Sequence, residues 1–291
     1  MTQKLKVAIQ GGPASFHEVA AQQYYPQYEV ASVPCQSFRQ LCETLQQGTA
    51  DVGVMAVENT LAGSILPNYN LLHQFNLFVT GELWLPIEQN LMALPGQQLQ
   101  DLTKVVTHPM ALNQCMEFLT QQPQLQLQES HDTADSAKEI REKDLKGVAA
   151  IASKQAAALY GLEMLAENIE DRRDNFTRFL VVSREQPQEN GTANKATLLV
   201  QVPHERSLAD VFMQLHIHEI HVALIQTLPA TARSHAHYMV IELEGDSSNN
   251  LQETITTLEP LVEYQRLLGL YQKTKYPKHP NPKKKVKALQ H

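Results

Sequence analysis

Apolar and polar positions alternate at the start of the chain, with Leu5, Val7 and Ile9 set against Lys4 and Lys6, which predicts a strand. Gly11-Gly12-Pro13 ends it, and Ser15-Phe16-His17-Glu18 reads as a capping box that starts a helix through Ala20-Ala21. A strand, a glycine turn and a helix N-terminus together favour an anion, although the turn is neither G-x-G-x-x-G nor a Walker loop. A second unit follows, with a strand at Val30 to Val33 and a helix from Ser37 to Gly48. Asp51 to Val57 is nearly continuously apolar, the pattern of a strand buried on both faces of a parallel sheet. It ends in Glu58-Asn59-Thr60, at the carboxyl end of a strand, where open α/β sheets bind ligands.

From Leu77 to Leu94 the pattern is extended, as expected of strands that cross between two lobes. The alternation then resumes. Strands are predicted at Lys104 to Thr107, Leu125 to Glu129 and Val148 to Ala152, and helices from Pro109 through Leu119, from about Thr133, and from Ser153 to Tyr160 before Gly161. A last strand spans Thr177 to Ser183. Repeated β-α-β units predict an α/β fold with a parallel or mixed sheet, and the extended middle predicts two lobes with a central cleft. His108 falls at a strand end just before a helix, as does Asp132-Thr133, so His108 is a candidate ligand contact. Residues 186–194 are polar and punctuated by Pro187 and Gly191, the composition of a linker between a unit at 1–185 and one at 195–272. The latter reads β-α-β-β-α-β, a ferredoxin-like α+β arrangement.

Composition narrows the function. The chain has 291 residues, 43% hydrophobic and 19% charged, with a net charge of -7. That balance argues against nucleic acid as a partner, because phosphate backbones need clustered Lys and Arg. The dense basic run Lys283-Lys284-Lys285 with Lys287 lies in a proline-punctuated stretch, 273–291, that reads as a disordered tail. Three cysteines without C-x-x-C spacing indicate neither a disulfide framework nor a zinc knuckle. His218-Glu219-Ile220-His221 is one residue short of H-E-x-x-H, so no metal site is expected. There is no apolar run long enough to span a membrane and no leader-like start, and a cytoplasmic location is expected.

Asn175-Phe176-Thr177-Arg178-Phe179 sets a hydroxyl beside a fixed positive charge where the strand Leu180-Val181-Val182 begins. Strand neighbours alternate faces, which leaves the direction of Arg178 open.

With Gly12-Pro13-Ala14-Ser15-Phe16, Val57-Glu58-Asn59-Thr60 and Gly63, Thr107-His108-Pro109 with Gln114-Cys115, Ala149 to Ala152 with Tyr160-Gly161-Leu162, and Asn175 to Phe179, the chain resembles prephenate dehydratase over residues 5–184. Residues 195–272 resemble the phenylalanine-binding ACT module of that family. The resemblance implies a two-lobed catalytic domain like that of type II periplasmic binding proteins, and the conversion of prephenate to phenylpyruvate, water and carbon dioxide in phenylalanine biosynthesis without a cofactor. It implies Thr177, Glu58 and Asn59 as catalytic residues, with Ala14, Ser15, Phe16, Thr60, His108, Arg178 and Phe179 around the substrate and Arg178 clamping a carboxylate. Amides around Ala14 to Phe16 would take a second carboxylate. Effector contacts would fall on Arg206, Ser207 and Leu208 and on Gln226, Thr227, Leu228 and Pro229. These depart from the family's usual segments, which predicts weakened or altered feedback by L-phenylalanine. Ala14 and Gln89 stand where the family often has glycine and histidine. A homodimer or homotetramer is expected. Arogenate in place of prephenate as substrate, or a non-catalytic sensor of small anions or amino acids on the same scaffold, are the alternatives.

Overall fold

Ser15 and Ser37 each accept a hydrogen bond from the amide three residues on, and helices begin there. The computed structural model, which describes residues 3–186, 191–202, 208–229 and 238–277, arranges β1 (Lys4–Gln10), α1 (Phe16–Tyr24), β2 (Glu29–Cys35), α2 (Phe38–Gln46) and β3 (Val52–Asn59) as successive β-α-β units. β4 (Gly63–Ser64), α3 (Leu66–Gln74) and β5 (Phe78–Pro86) follow. The chain then leaves this sheet for a second one. There it forms β6 (Asn90–Ala93), β7 (Lys104–Thr107), α4 (Pro109–Gln114), α5 (Met116–Thr120), β8 (Gln126–Glu129), α6 (Thr133–Glu142), β9 (Val148–Ala152), α7 (Lys154–Tyr160) and β10 (Glu163–Ala166). It returns as β11 (Phe176–Ser183), which inserts antiparallel between β3 and β5. The sheet orders are β2-β1-β3-β11-β5 and β10-β6-β9-β7-β8. Two crossings between two sheets make two lobes with a cleft between them, and the extended stretch expected at 77–94 supplies one strand to each.

β3 is parallel to β1 but antiparallel to β11, so the first sheet is mixed, one of the two arrangements expected. One expectation needs correction. The helix expected from Pro109 through Leu119 is two pieces broken at Cys115, because the Asp171 carboxylate accepts from the amides of Met116 and Glu117 and caps the second piece.

The C-terminal unit is β12 (Lys195–Gln201), α8 (Leu208–Ile217), β13 (His221–Thr227), β14 (Met239–Glu244), α9 (Ser248–Leu258) and β15 (Tyr264–Tyr271). Its order, β13-β14-β12-β15 with antiparallel neighbours, is the ferredoxin-like one. Both faces of this sheet are covered. Ala196, Leu198, Ile241 and Leu243 pack under Val211 and Leu215 of α8 and Leu251, Ile255 and Leu258 of α9. On the other face Leu199, Val240 and Leu268 share one core with Leu41, Leu45, Met55, Leu180 and Val182 of the first lobe. Gly269 permits that contact: a Cβ there would lie 2.1 Å from the Val79 carbonyl oxygen of β5. Among the described residues no helix is long and apolar enough to cross a membrane.

A β-bulge decides which side chains face the cleft. Phe179 pairs with Ala56 and Arg178 with Glu58, so β3 carries one extra residue, Val57, at this point. Ala56 and Phe179 lie in the core under α1, whereas Val57 lies in the core shared with the C-terminal unit. Strict alternation would return Glu58 to the cleft side. The bulge instead leaves Glu58 on the same face as Val57 and brings Asn59 opposite Thr177 into the cleft.

Candidate active site

The cleft between the lobes encloses about 300 Å³, at the small end of ligand sites. The first lobe lines it with Ser15, Phe16, His17, Asn59, Thr177 and Phe179, and the second with Gln89, His108, Gln114, His131 and Asp132.

Thr177 and Asn59 form its most constrained feature. The Asn59 side-chain oxygen accepts from the amides of Leu61 and Ala62, both at 2.9 Å, which fixes the orientation of its amide group. Its Nδ2 therefore donates, to Asn175 Oδ1 at 2.8 Å and to Thr177 Oγ1 at 3.1 Å. A threonine hydroxyl that accepts from a neighbour keeps its own proton for a third group, so Thr177 presents a donor to whatever occupies the cleft.

Around this pair the expected residues divide. Ser15, Phe16, His108 and Phe179 line the cleft. His108 Nδ1 accepts from Met110 N at 3.1 Å, which places the ring proton on Nε2. Thr60 works behind the wall, its hydroxyl donating to Asp174 O at 2.6 Å and accepting from Phe176 N at 2.9 Å, so it secures the loop that carries Asn175. Ala14 is buried at φ 64°, a backbone that favours glycine. Its amide donates to Glu18 Oε2 at 2.6 Å and that of Ser15 to Gly12 O at 3.2 Å, so two of the three amides expected to receive a carboxylate are used inside the turn. The carbonyl of Ala14 accepts from Ser153 of the second lobe at 2.9 Å, and Gly11 packs against Asp132 so closely that a Cβ would lie 2.9 Å from its Oδ2. The glycine turn is thus a contact between lobes.

Arg178 and Glu58 are the clear corrections. Neither lines the cleft. Arg178 is 2% exposed and its guanidinium is bound by Glu242, Glu82, Tyr69 and Glu58 on the opposite face of the sheet, so it is no substrate clamp. Glu58 follows it there, 3.1 Å from Arg178 Nε. Both line a larger cavity of about 560 Å³ between the first lobe and the C-terminal unit. Among the effector residues, Arg206 and Ser207 lie outside the described residues. Leu208 opens α8, and Gln226 and Thr227 end β13. Leu228 is buried in the core shared with the first lobe, and the carbonyl of the exposed Pro229 accepts from Asn70 at 3.2 Å.

The residues not foreseen are His17 and His131. His17 stacks edge-on against Phe179 with centroids 5.0 Å apart, its Nε2 is without a hydrogen-bond partner in a buried position, and burial lowers its pKa to about 3. His131 lies just past the carboxyl end of β8, a position that the strand-end rule marks as a site. Beside it, burial raises the Asp132 carboxyl, whose Oδ1 accepts from the amides of Ala134 and Asp135.

A two-lobed α/β unit with a half-buried hydroxyl donor in a small cleft between the lobes defines a small-molecule site. The family model for prephenate dehydratase matches residues 7–187. Arogenate dehydratase 3, chloroplastic, of Arabidopsis thaliana is 32% identical over 286 residues, covering 92% of this chain and 67% of that protein. Among solved structures, a prephenate dehydratase from Arthrobacter aurescens in complex with L-Phe is 26% identical with a TM-score of 0.81, covering 92% of this chain and 90% of that one. A structure described as GqqA, a novel type of quorum-quenching acylase, is 30% identical with a TM-score of 0.82, covering 92% of this chain and 98% of that one. The chain belongs to the prephenate dehydratase family and is a lyase of that type.

Proposed function

We propose that the protein converts prephenate to phenylpyruvate, water and carbon dioxide, with Thr177 at the departing hydroxyl. The observation that carries this is the Asn59–Thr177 hydrogen bond, whose direction leaves the threonine proton for the substrate. The ring carboxylate departs as carbon dioxide, its bonding pair moves through the ring, and the carbon–oxygen bond opposite breaks. The hydroxide so released takes one proton and becomes water. A threonine hydroxyl is too weak an acid to supply that proton outright, so Thr177 stabilises or relays. Phe16 and Phe179 provide apolar walls for the ring, while Ser15 and His108 Nε2 provide neutral donors for carboxylates. Replacing Thr177 with valine keeps the shape and removes the donor. We expect kcat to fall by about 10²- to 10⁴-fold with KM nearly unchanged. Parental kcat in that variant would remove Thr177 from the mechanism.

One observation favours arogenate as a further substrate. The described lining of the cleft contains no lysine or arginine but does contain Asp132, whose Oδ2 faces the turn at Gly11. A carboxylate there complements the ammonium that arogenate carries in place of the keto oxygen. Comparing kcat/KM for the two substrates, in the parent and in Asp132→Asn, decides between them. The acylase reading is disfavoured because the group on Thr177 Oγ1 is an amide donor, and a nucleophile needs a base there. L-phenylalanine as effector and assembly into homo-oligomers belong to the same reading. Phe212, Met213 and Ile217 on α8 expose apolar surface for such pairing.

A further inference from the structure

Asn59 and Thr177, which meet in the cleft, each have a neighbour on the far face of the sheet, and those neighbours, Glu58 and Arg178, form the next cross-strand pair. The C-terminal unit takes hold of that pair. Glu242 of β14 accepts from Arg178 Nη1 at 2.6 Å and from Nη2 at 2.9 Å, a two-pronged grip. The Tyr69 hydroxyl accepts from Nη2 at 2.9 Å and donates to Glu242 at 3.0 Å. Glu82 of β5 and Lys195 of β12 complete a buried quartet, with Arg178–Glu82 at 3.1 Å, Lys195–Glu82 at 2.9 Å and Lys195–Glu242 at 3.1 Å.

We propose that Glu242 is a positioning residue for the reaction: through Arg178 it fixes the start of β11, and with it the hydroxyl of Thr177. The proposal rests on the reading of Thr177 as the donor to the departing oxygen. The bulge is why such a grip matters. At Val57 the ladder between β3 and β11 is interrupted, two residues before Asn59 of the pair that carries the chemistry, and the ladder restrains the backbone less there. A guanidinium held at both prongs restrains position and angle together, and the same group reaches Glu58, next to Asn59. Both partners of the Asn59–Thr177 bond are thus anchored from behind by one ion cluster.

A buried ion pair is weak evidence for stability, and removing one partner strands the other. The test must separate that effect from positioning. Glu242→Gln leaves an excess positive charge in the quartet, and adding Lys195→Met restores neutrality. We expect the double variant to regain most of the parent's thermal midpoint, yet to show kcat reduced roughly 10- to 100-fold with KM within about two-fold. In protein labelled at threonine methyl groups, the Thr177 resonance, assigned through Thr177→Val, is expected to shift. Parental kcat with an unmoved methyl resonance overturns the proposal. If the parent turns over neither prephenate nor arogenate, the reading of function fails, and the methyl resonance alone decides the role of Glu242. Tyr69→Phe, which strands no charge, gives the same readouts if the charge variants do not fold. It is then expected to lower kcat and shift the resonance to a smaller extent, and no change in either overturns the proposal.

Discussion

His17 stands between Phe38 and Phe179 with ring centroids 5.5 and 5.0 Å away, and burial holds its pKa at about 3 against an ordinary 6.5. The unfolded chain therefore binds a proton below pH 6.5 that the folded protein refuses. Its contribution is complete above pH 6.5 and is lost as pH falls toward 3, by about 1.4 kcal/mol per pH unit. His17→Phe keeps the stacking and removes the titration. In urea unfolding between pH 6.5 and 4.5, the variant is expected to lose stability less steeply than the parent. Parallel curves would show that the ring is protonated in the fold. Its role was not legible in the sequence, where His17 is one polar residue in a capped helix. Phe38 and Phe179, which bury it, are 21 and 162 positions away.

At the scale of elements, features with a local cause were legible. Ser15, Ser37, Asp132 and Ser153 cap helices and Gly161 ends one with φ 60°, all within a few residues of the signal. α3 was not foreseen, since Ile65 gives it no side-chain cap and only a proline marks its first turn. The placement of Glu58 was not legible either. The bulge that turns it away is a register choice between β3 and β11, and no local pattern encodes the pairing of residues 58 and 178. Thr177, by contrast, lay in a motif on one strand and needed no register. The approach of β15 to β5 yields a prediction of its own. Gly269→Ala would set a methyl carbon 2.1 Å from the Val79 carbonyl oxygen and 2.8 Å from its Cβ, so β15 must withdraw. We expect a loss of about 1–3 kcal/mol in chemical denaturation. A variant as stable as the parent would show that the two strands slide apart at no cost.

Over the whole molecule, the C-terminal unit is bound to the first lobe by a shared core and by the charge quartet. Burial alone would raise the Glu242 carboxyl, but Arg178 and Lys195 hold it below its ordinary 4.5. A carboxylate depressed in the fold contributes stability above its unfolded value and loses it as pH falls through the folded one. The interface is therefore expected to weaken below pH 4.5. Trp84, the single tryptophan, lies 5.8 Å from the Arg178 guanidinium and 4.8 Å from the Tyr276 ring, and its emission reports this change. Glu242→Gln is expected to lack that acid transition, and an identical transition in the variant would assign it to another group.

The make-up of the quartet also bears on how the molecule is put together. The first lobe contributes Arg178 and Glu82, already 3.1 Å apart, and the C-terminal unit contributes Lys195 and Glu242, also 3.1 Å apart. Within the quartet each unit supplies one cation and one anion, a pair formed inside its own sheet. Each pair keeps its own contact and gains others across the interface, Arg178–Glu242 at 2.6 Å and Lys195–Glu82 at 2.9 Å. The quartet therefore joins the two units through charges that balance within each sheet, so neither sheet relies on the other to neutralise its own pair.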